Sequence, residues 1–250
     1  MRERPSIVLV NYLNTLPFLA GLKALLTEET ELVQAHPADC ARTFFHGQVD
    51  YGLVPVGALL GRTDWRRVGE YGIGCKSDVA TVCLFGQTPI EEWDTVLLDY
   101  QSRTSVLLAR ILLRDHWSLP AICRPATRGF EEQIMGRTGG LIIGDRAIRA
   151  RDVYAYCYDL GAAWNEWTGL PFIFALWVSR HQQPVSFDQK LEEAFAFGLT
   201  RMNSIATEEQ HRYPNFDLGH YYQKNIVYQM NDDLLKGWEQ FGRLAVELDR

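Results

Sequence analysis

The sequence predicts an α/β fold in two lobes, the second inserted into the first. Three observations carry this. Buried-strand patterns give way to helix starts three times in the first 60 or so residues. The same alternation returns from residue 95 to about residue 170. A long apolar run, Pro171 to Val178, then leads the chain into helical sequence. Repeated strand-then-helix units imply a parallel sheet with crossover helices. A chain of 250 residues, 47% of them hydrophobic, is enough for two cores. The crossings are expected near 86–95 and 170–178, giving lobe I as residues 1–88 plus 175–250 and lobe II as 89–174.

Ile7-Val8-Leu9-Val10 reads as a buried strand: short, apolar and β-branched. It runs into Asn11-Tyr12-Leu13-Asn14-Thr15-Leu16-Pro17, where Pro17 suits a first helical turn because its missing N–H is not needed there. Asn14 or Thr15 is the cap candidate. This junction sets polar, uncharged side chains, Asn11 among them, at a strand's carboxyl end; plain turn chemistry accounts for them equally. Leu32-Val33 begins a second strand, Pro37 to Gly47 a helix, and Val49 to Val56 a third strand. Tyr71 to Cys75 and Val79 to Phe85 read as two sheet segments joined by the polar turn Lys76-Ser77-Asp78.

The most informative stretch is Gln101-Ser102-Arg103-Thr104-Ser105, between the strand Thr95–Asp99 and a helix over 103–114. Ser102 or Thr104 can cap that helix by accepting one of its unpaired first-turn N–H groups. The same N–H groups and the helix dipole favour an anion, and a guanidinium adds a two-pronged donor for carboxylate or phosphate. An ordinary cap beside an exposed Arg103 is the simpler account of the same residues. Gly139 to Ile143 is a further strand, ending at Gly144-Asp145; Asp145 stands at the lip of that junction or caps the next helix. Residues 130–136 read as a short helix and 153–158 as a short strand. Ser186 to Ala206, Gly219 to Met230 and Asp232 to Leu248 read as helices, and Trp164, Trp167 and Trp177 as packing residues.

A net charge of −6 argues against general nucleic-acid binding. No run approaches the ~20 apolar residues of a membrane span. The charged start Met1–Pro5, with only Ile7–Val10 apolar behind it, does not read as a secretion signal, so a cytoplasmic protein is expected. Five scattered cysteines without a CxxC fit reduced thiols, and six histidines without an HExxH recommend no metal.

Taken together, Tyr12 to Phe18, Asp50 to Val56, Ser102 to Ser105, Gly144-Asp145 with Ala147, and Asp159-Leu160-Gly161 through Trp167 to Phe172 resemble the chorismate dehydratase family of the futalosine route to menaquinone. The resemblance rests on their order and spacing more than on any one motif. It implies a fold like the type II periplasmic binding proteins, with a ligand cleft between the lobes. It implies a small dianionic substrate, chorismate, no cofactor or metal, no nucleic-acid or membrane partner, and a monomer or homodimer. Ser102, Arg103, Thr104, Ser105 and Asn11 would then bind substrate. Asn14 would meet its reacting face, and Thr81, where the family typically has serine, would give a hydroxyl. Asp145 would orient the substrate or accept a proton; a water or a substrate carboxylate is the other candidate base. A non-catalytic solute-binding or sensor protein, and the related dihydroxynaphthoate synthase, are the competing expectations.

Overall fold

The computed structural model describes residues 4–181 and 183–248. In chain order the elements begin with β1 (Ser6–Val10), α1 (Leu16–Leu26), β2 (Glu31–Ala35), α2 (Pro37–Phe45), β3 (Tyr51–Pro55) and β4 (Arg66–Cys75). Then come β5 (Val82–Gly86), β6 (Thr95–Leu98), α3 (Arg103–Ile111), β7 (Ile122–Pro125), β8 (Thr138–Ile143), α4 (Asp145–Ala150), β9 (Tyr156–Asp159) and α5 (Leu160–Thr168). The chain ends with β10 (Phe172–Ser179), α6 (Ser186–Leu199), α7 (Met202–Glu209), the single turn α8 (Leu218–His220), β11 (Val227–Gln229) and α9 (Asp232–Glu247). No helix among the described residues is long and apolar enough to cross a membrane.

The chain divides into two compact units. Unit 1 takes residues up to Ile73 and Phe174–Asn231; unit 2 takes Gly74–Ile173 and the chain from Asp232 onward. Unit 1 is built on the sheet β11-β4-β10-β3-β1-β2, with β1 parallel to β2 and β3, and β10 antiparallel to β3. Unit 2 is built on β7-β6-β8-β5-β9, with β6 parallel to β7 and β8, and β5 antiparallel to β8 and β9. Each sheet therefore carries the same motif: a first parallel strand in the middle, its successors on either side, and an antiparallel strand beyond the third. In each, the chain leaves the middle strand to one side and returns to the other. Ligands of open α/β sheets bind at such switch points, beyond the strand carboxyl ends.

Unit 1 packs around Phe18, whose ring lies edge-on to Tyr71, Trp177, Phe195 and Tyr228, while Trp177 and Phe195 stack at 4.4 Å. Helices α1 and α6 approach through Gly21 and Gly198; a Cβ at either would run into the other helix's backbone. In unit 2 the corresponding aromatic cluster is Trp164, Phe172 and Phe241, with Phe172 and Phe241 at 5.1 Å.

The division differs from the expected one in two places. The first crossing lies at 73/74, not 88/89. All five residues of β5 are buried, and its backbone pairs on one side with β8 (Val82↔Ile143) and on the other with β9 (Cys83↔Asp159), so it belongs wholly to the second sheet. The segments read as neighbours across the Lys76-Ser77-Asp78 turn thus lie in different sheets. The C-terminal helix α9, expected in lobe I, belongs to unit 2, because Phe241 packs on Trp164 and Phe172 and Gly237 admits the carbonyl of Pro171. The second crossing is at 173/174. Residues 219–230, expected helical, contain β11, tied to β4 by Met230 N–H donating to Glu70 O at 2.7 Å. The expected helix at 130–136 is a 3-10 turn, Phe130–Gln133, and α3 ends at Ile111 in a wide turn, Leu112–His116.

Candidate functional site

In unit 2, β6 ends and α3 begins at Ser102, which caps the helix: its Oγ accepts the Ser105 N–H at 3.1 Å. The Ser102 hydroxyl donates to Ser105 Oγ at 3.0 Å. Each hydroxyl has one proton, so Ser102 is spent on the turn while Ser105 keeps its own proton to give. Thr104 and Ser105 are buried, whereas Arg103 is exposed, with no ion pair or hydrogen bond to its guanidinium among the described residues. The junction is a cap and also a free cation over helical N–H groups.

Asp99, not singled out from the sequence, organises what lies beneath. Its side chain is 0% exposed. One oxygen accepts the Gln101 N–H at 2.9 Å; the other accepts the Ile143 N–H at 3.2 Å and a short hydrogen bond from Arg146. Arg146 also donates to Gln101 Oε1 at 3.0 Å and to Glu131 at 2.7 Å. Burial pushes the Asp99 carboxyl above its usual range, and Arg146 and the two N–H groups oppose that. The carboxylate thereby ties the end of β6 to the end of β8.

At the end of β8, Gly144 is the N-cap of α4, with φ +64, and Asp145 is the first helical residue rather than the cap. Asp145 is half-buried. Gly144 N–H donates to Thr81 O at 2.8 Å. Because β5 runs antiparallel to β8, its start lies beside the end of β8, and this brings Thr81 to the same edge as Asp145, Asp99 and the Ser102 turn. Thr81 is 1% exposed, and its hydroxyl leans on Val79 O at 3.4 Å.

The asparagines belong to unit 1, at the end of β1. There a 3-10 turn, Leu13–Thr15, precedes α1, and no side chain caps the helix. Thr15, expected as a possible cap, turns its hydroxyl back onto Val10 O (2.5 Å) and Tyr12 O (2.8 Å). Tyr222 and Tyr228 donate their hydroxyls to Leu13 O (2.9 Å) and Asn14 O (3.0 Å). The backbone is thus held from outside, and the side-chain amides of Asn11 and Asn14 have no hydrogen-bond partner among the described residues. The structure gathers Thr81, Ser102 to Ser105 and Asp145 in unit 2 and sets Asn11 and Asn14 in unit 1.

Three comparisons bear on what these residues serve. A protein of Archaeoglobus fulgidus matches at TM-score 0.75 with 14% identity, covering 99% of this chain and 98% of that one. A Candida albicans protein described as having the generic periplasmic binding protein fold matches at 0.64 with 9% identity, covering 99% and 91%. Such identities speak for the fold alone, which is that of the periplasmic binding proteins. A chorismate dehydratase of Thermus thermophilus is 29% identical over 230 residues, 84% of this chain and 83% of that protein. The family model described as menaquinone biosynthesis matches residues 5–247, so both switch points, both sheets and all of α9 fall inside it, and the chain belongs to that family.

Proposed function

We propose that this chain is a chorismate dehydratase, a carbon–oxygen lyase that converts chorismate to 3-[(1-carboxyvinyl)oxy]benzoate and water. One observation carries this: the likeness to the Thermus thermophilus chorismate dehydratase over 84% of the chain, inside a menaquinone-biosynthesis match that is almost end to end. The chemistry available agrees. A ring proton is removed, the neighbouring hydroxyl leaves as water, and the ring becomes aromatic. The enzyme must hold a dianion and assist that departure, and positioned donors supply this.

Arg103, the Ser105 hydroxyl and the first N–H groups of α3 receive one carboxylate, with Thr104 and Ser102 shaping the turn. Asn11 and Asn14 give uncommitted amides to the substrate, and Thr81 gives a hydroxyl. The proton goes to Asp145, to water or to a carboxylate of the substrate itself; Asp145→Asn distinguishes the first from the others, because only the first requires the lost basic oxygen. Five free cysteines suit work in the reducing cytoplasm.

The test is to incubate the purified protein with chorismate and follow products by chromatography and mass. An aromatic product lighter by one water, formed faster than in buffer, is expected. Unchanged chorismate with folded protein would sink the assignment and favour a binding protein or the later enzyme of the pathway.

A further inference from the structure

Ala80, just before Thr81, has φ +65; Ser118 is the other non-glycine residue with positive φ among the described residues. A side chain in that region costs free energy and persists only where neighbours hold it. Two groups hold Ala80. Asp159 caps α5 by accepting Gly161 N–H (2.9 Å) and Ala162 N–H (3.1 Å). The same carboxylate reaches back to accept Val79 N–H (3.1 Å) and Ala80 N–H (2.7 Å). Arg151 donates Nε (3.2 Å) and Nη2 (2.8 Å) to Ala80 O, and its Nη2 stands 3.8 Å from Asp159. The amide before Ala80 and the carbonyl after it are therefore both gripped by charged groups. Glycine would adopt this conformation without help; the chain has alanine and a clamp instead. The residue whose direction the clamp sets is Thr81, whose carbonyl starts the β5–β8 pairing through Gly144.

We propose that Arg151, together with Asp159, is a positioning residue that holds Ala80 left-handed so that Thr81 is presented to the substrate. This rests on the role proposed above for Thr81. Arg151 does not touch the reacting atoms; it acts through Ala80.

The test is a double-mutant cycle of Arg151→Met and Ala80→Gly, read as kcat/KM for chorismate. Arg151→Met alone lowers it about tenfold, equivalent to about 1.4 kcal/mol. In the Ala80→Gly background the same change costs about twofold or less, because glycine holds the turn unaided. Arg151 also meets Cys83 Sγ at 3.5 Å, and that contact is lost equally in both backgrounds. A merely structural arginine would therefore give equal losses, and equal losses, or none in either background, overturn the proposal. If Arg151→Met does not fold, Arg151→Lys, which keeps the charge but not the paired donation, goes through the same cycle. Urea unfolding of the four proteins reads the clamp without substrate: the arginine must matter more when residue 80 is alanine. No turnover by the parent protein would sink both readings, whereas parental turnover with no coupling sinks the clamp alone.

Discussion

The turns after β1 and after β6 occupy equivalent places in their sheets, yet they are secured by opposite means. After β6 the supports are polar, two of them local and two distant: Ser102 caps its own helix, and buried Asp99 grips Gln101 two residues on as well as Ile143 and Arg146. After β1 no side chain caps the helix, and the turn is held by two tyrosine hydroxyls lying 209 and 214 residues away. Burial pushes Tyr228 well above its ordinary range, so its hydroxyl stays a donor. One turn offers a free cation, Arg103; the other offers only neutral amides, Asn11 and Asn14. The turn that presents a cation thus also has a buried carboxylate paired with Arg146 beneath it. A turn that only offers hydrogen bonds needs no buried ion.

The largest effect should come from that buried ion. Asp99→Ala leaves Arg146 without its buried partner and two N–H groups without acceptors, so unfolding in urea should show a loss of about 3–5 kcal/mol. Thr15→Val at the other turn should cost only about 1 kcal/mol. Similar losses at both sites would erase the distinction. Asp99 also has a pH signature. Its folded-state pKa is raised above the 3.8 of a free side chain, so the stability it contributes is present below that value and lost as pH rises through the folded-state pKa. Asp99→Asn removes this term, so its stability relative to the parent should improve from acid toward neutral pH. A difference constant with pH would show that the carboxyl does not titrate as described.

Next in size is Arg103→Ala. With an exposed, unpartnered guanidinium, it should leave the melting temperature unchanged but weaken chorismate binding by about 1.5–3 kcal/mol, as for a charged hydrogen bond. A stability loss without an affinity loss would make Arg103 structural and remove the reason for the buried ion below it.

The two turns were also unequally legible. Ser102 as a cap could be read because donor and acceptor lie three residues apart. Asp99 read as a strand end because two of its partners, Ile143 and Arg146, are 44 and 47 residues away. Tyr222 and Tyr228 lie in a stretch that reads as helical, and nothing local says that a hydroxyl there will serve a distant carbonyl. β11 was lost because three residues are too few to show a period of two. The face of α9 was evident, but an amphipathic face does not say which apolar surface it will cover. β5 was recognisable as a strand, yet its sheet was decided by pairing with residues 55 to 76 positions later. Local patterns thus gave the βα rhythm and the turns after β1, β6 and β8, and long-range hydrogen bonding decided where the units divide.

The smallest effects test the supports one by one. Ser102→Ala should cost about 1 kcal/mol of stability, the usual worth of an N-cap. Tyr228→Phe should cost a similar 0.5–1.5 kcal/mol, about one hydrogen bond. They differ in what else they disturb. Without the Ser102 cap, α3 still begins at the same strand end, because Asp99 continues to hold Gln101 on one side and Ile143 on the other. Without the Tyr228 hydroxyl, the carbonyl of Asn14 loses its clasp, and the nearest remaining tie is Tyr222 on Leu13. Tyr228→Phe should therefore raise KM for chorismate by more than its stability loss suggests, and Asn14→Ala should add little to it. If the two substitutions were instead fully additive in kcat/KM, the tyrosine would be holding the fold and not the amide.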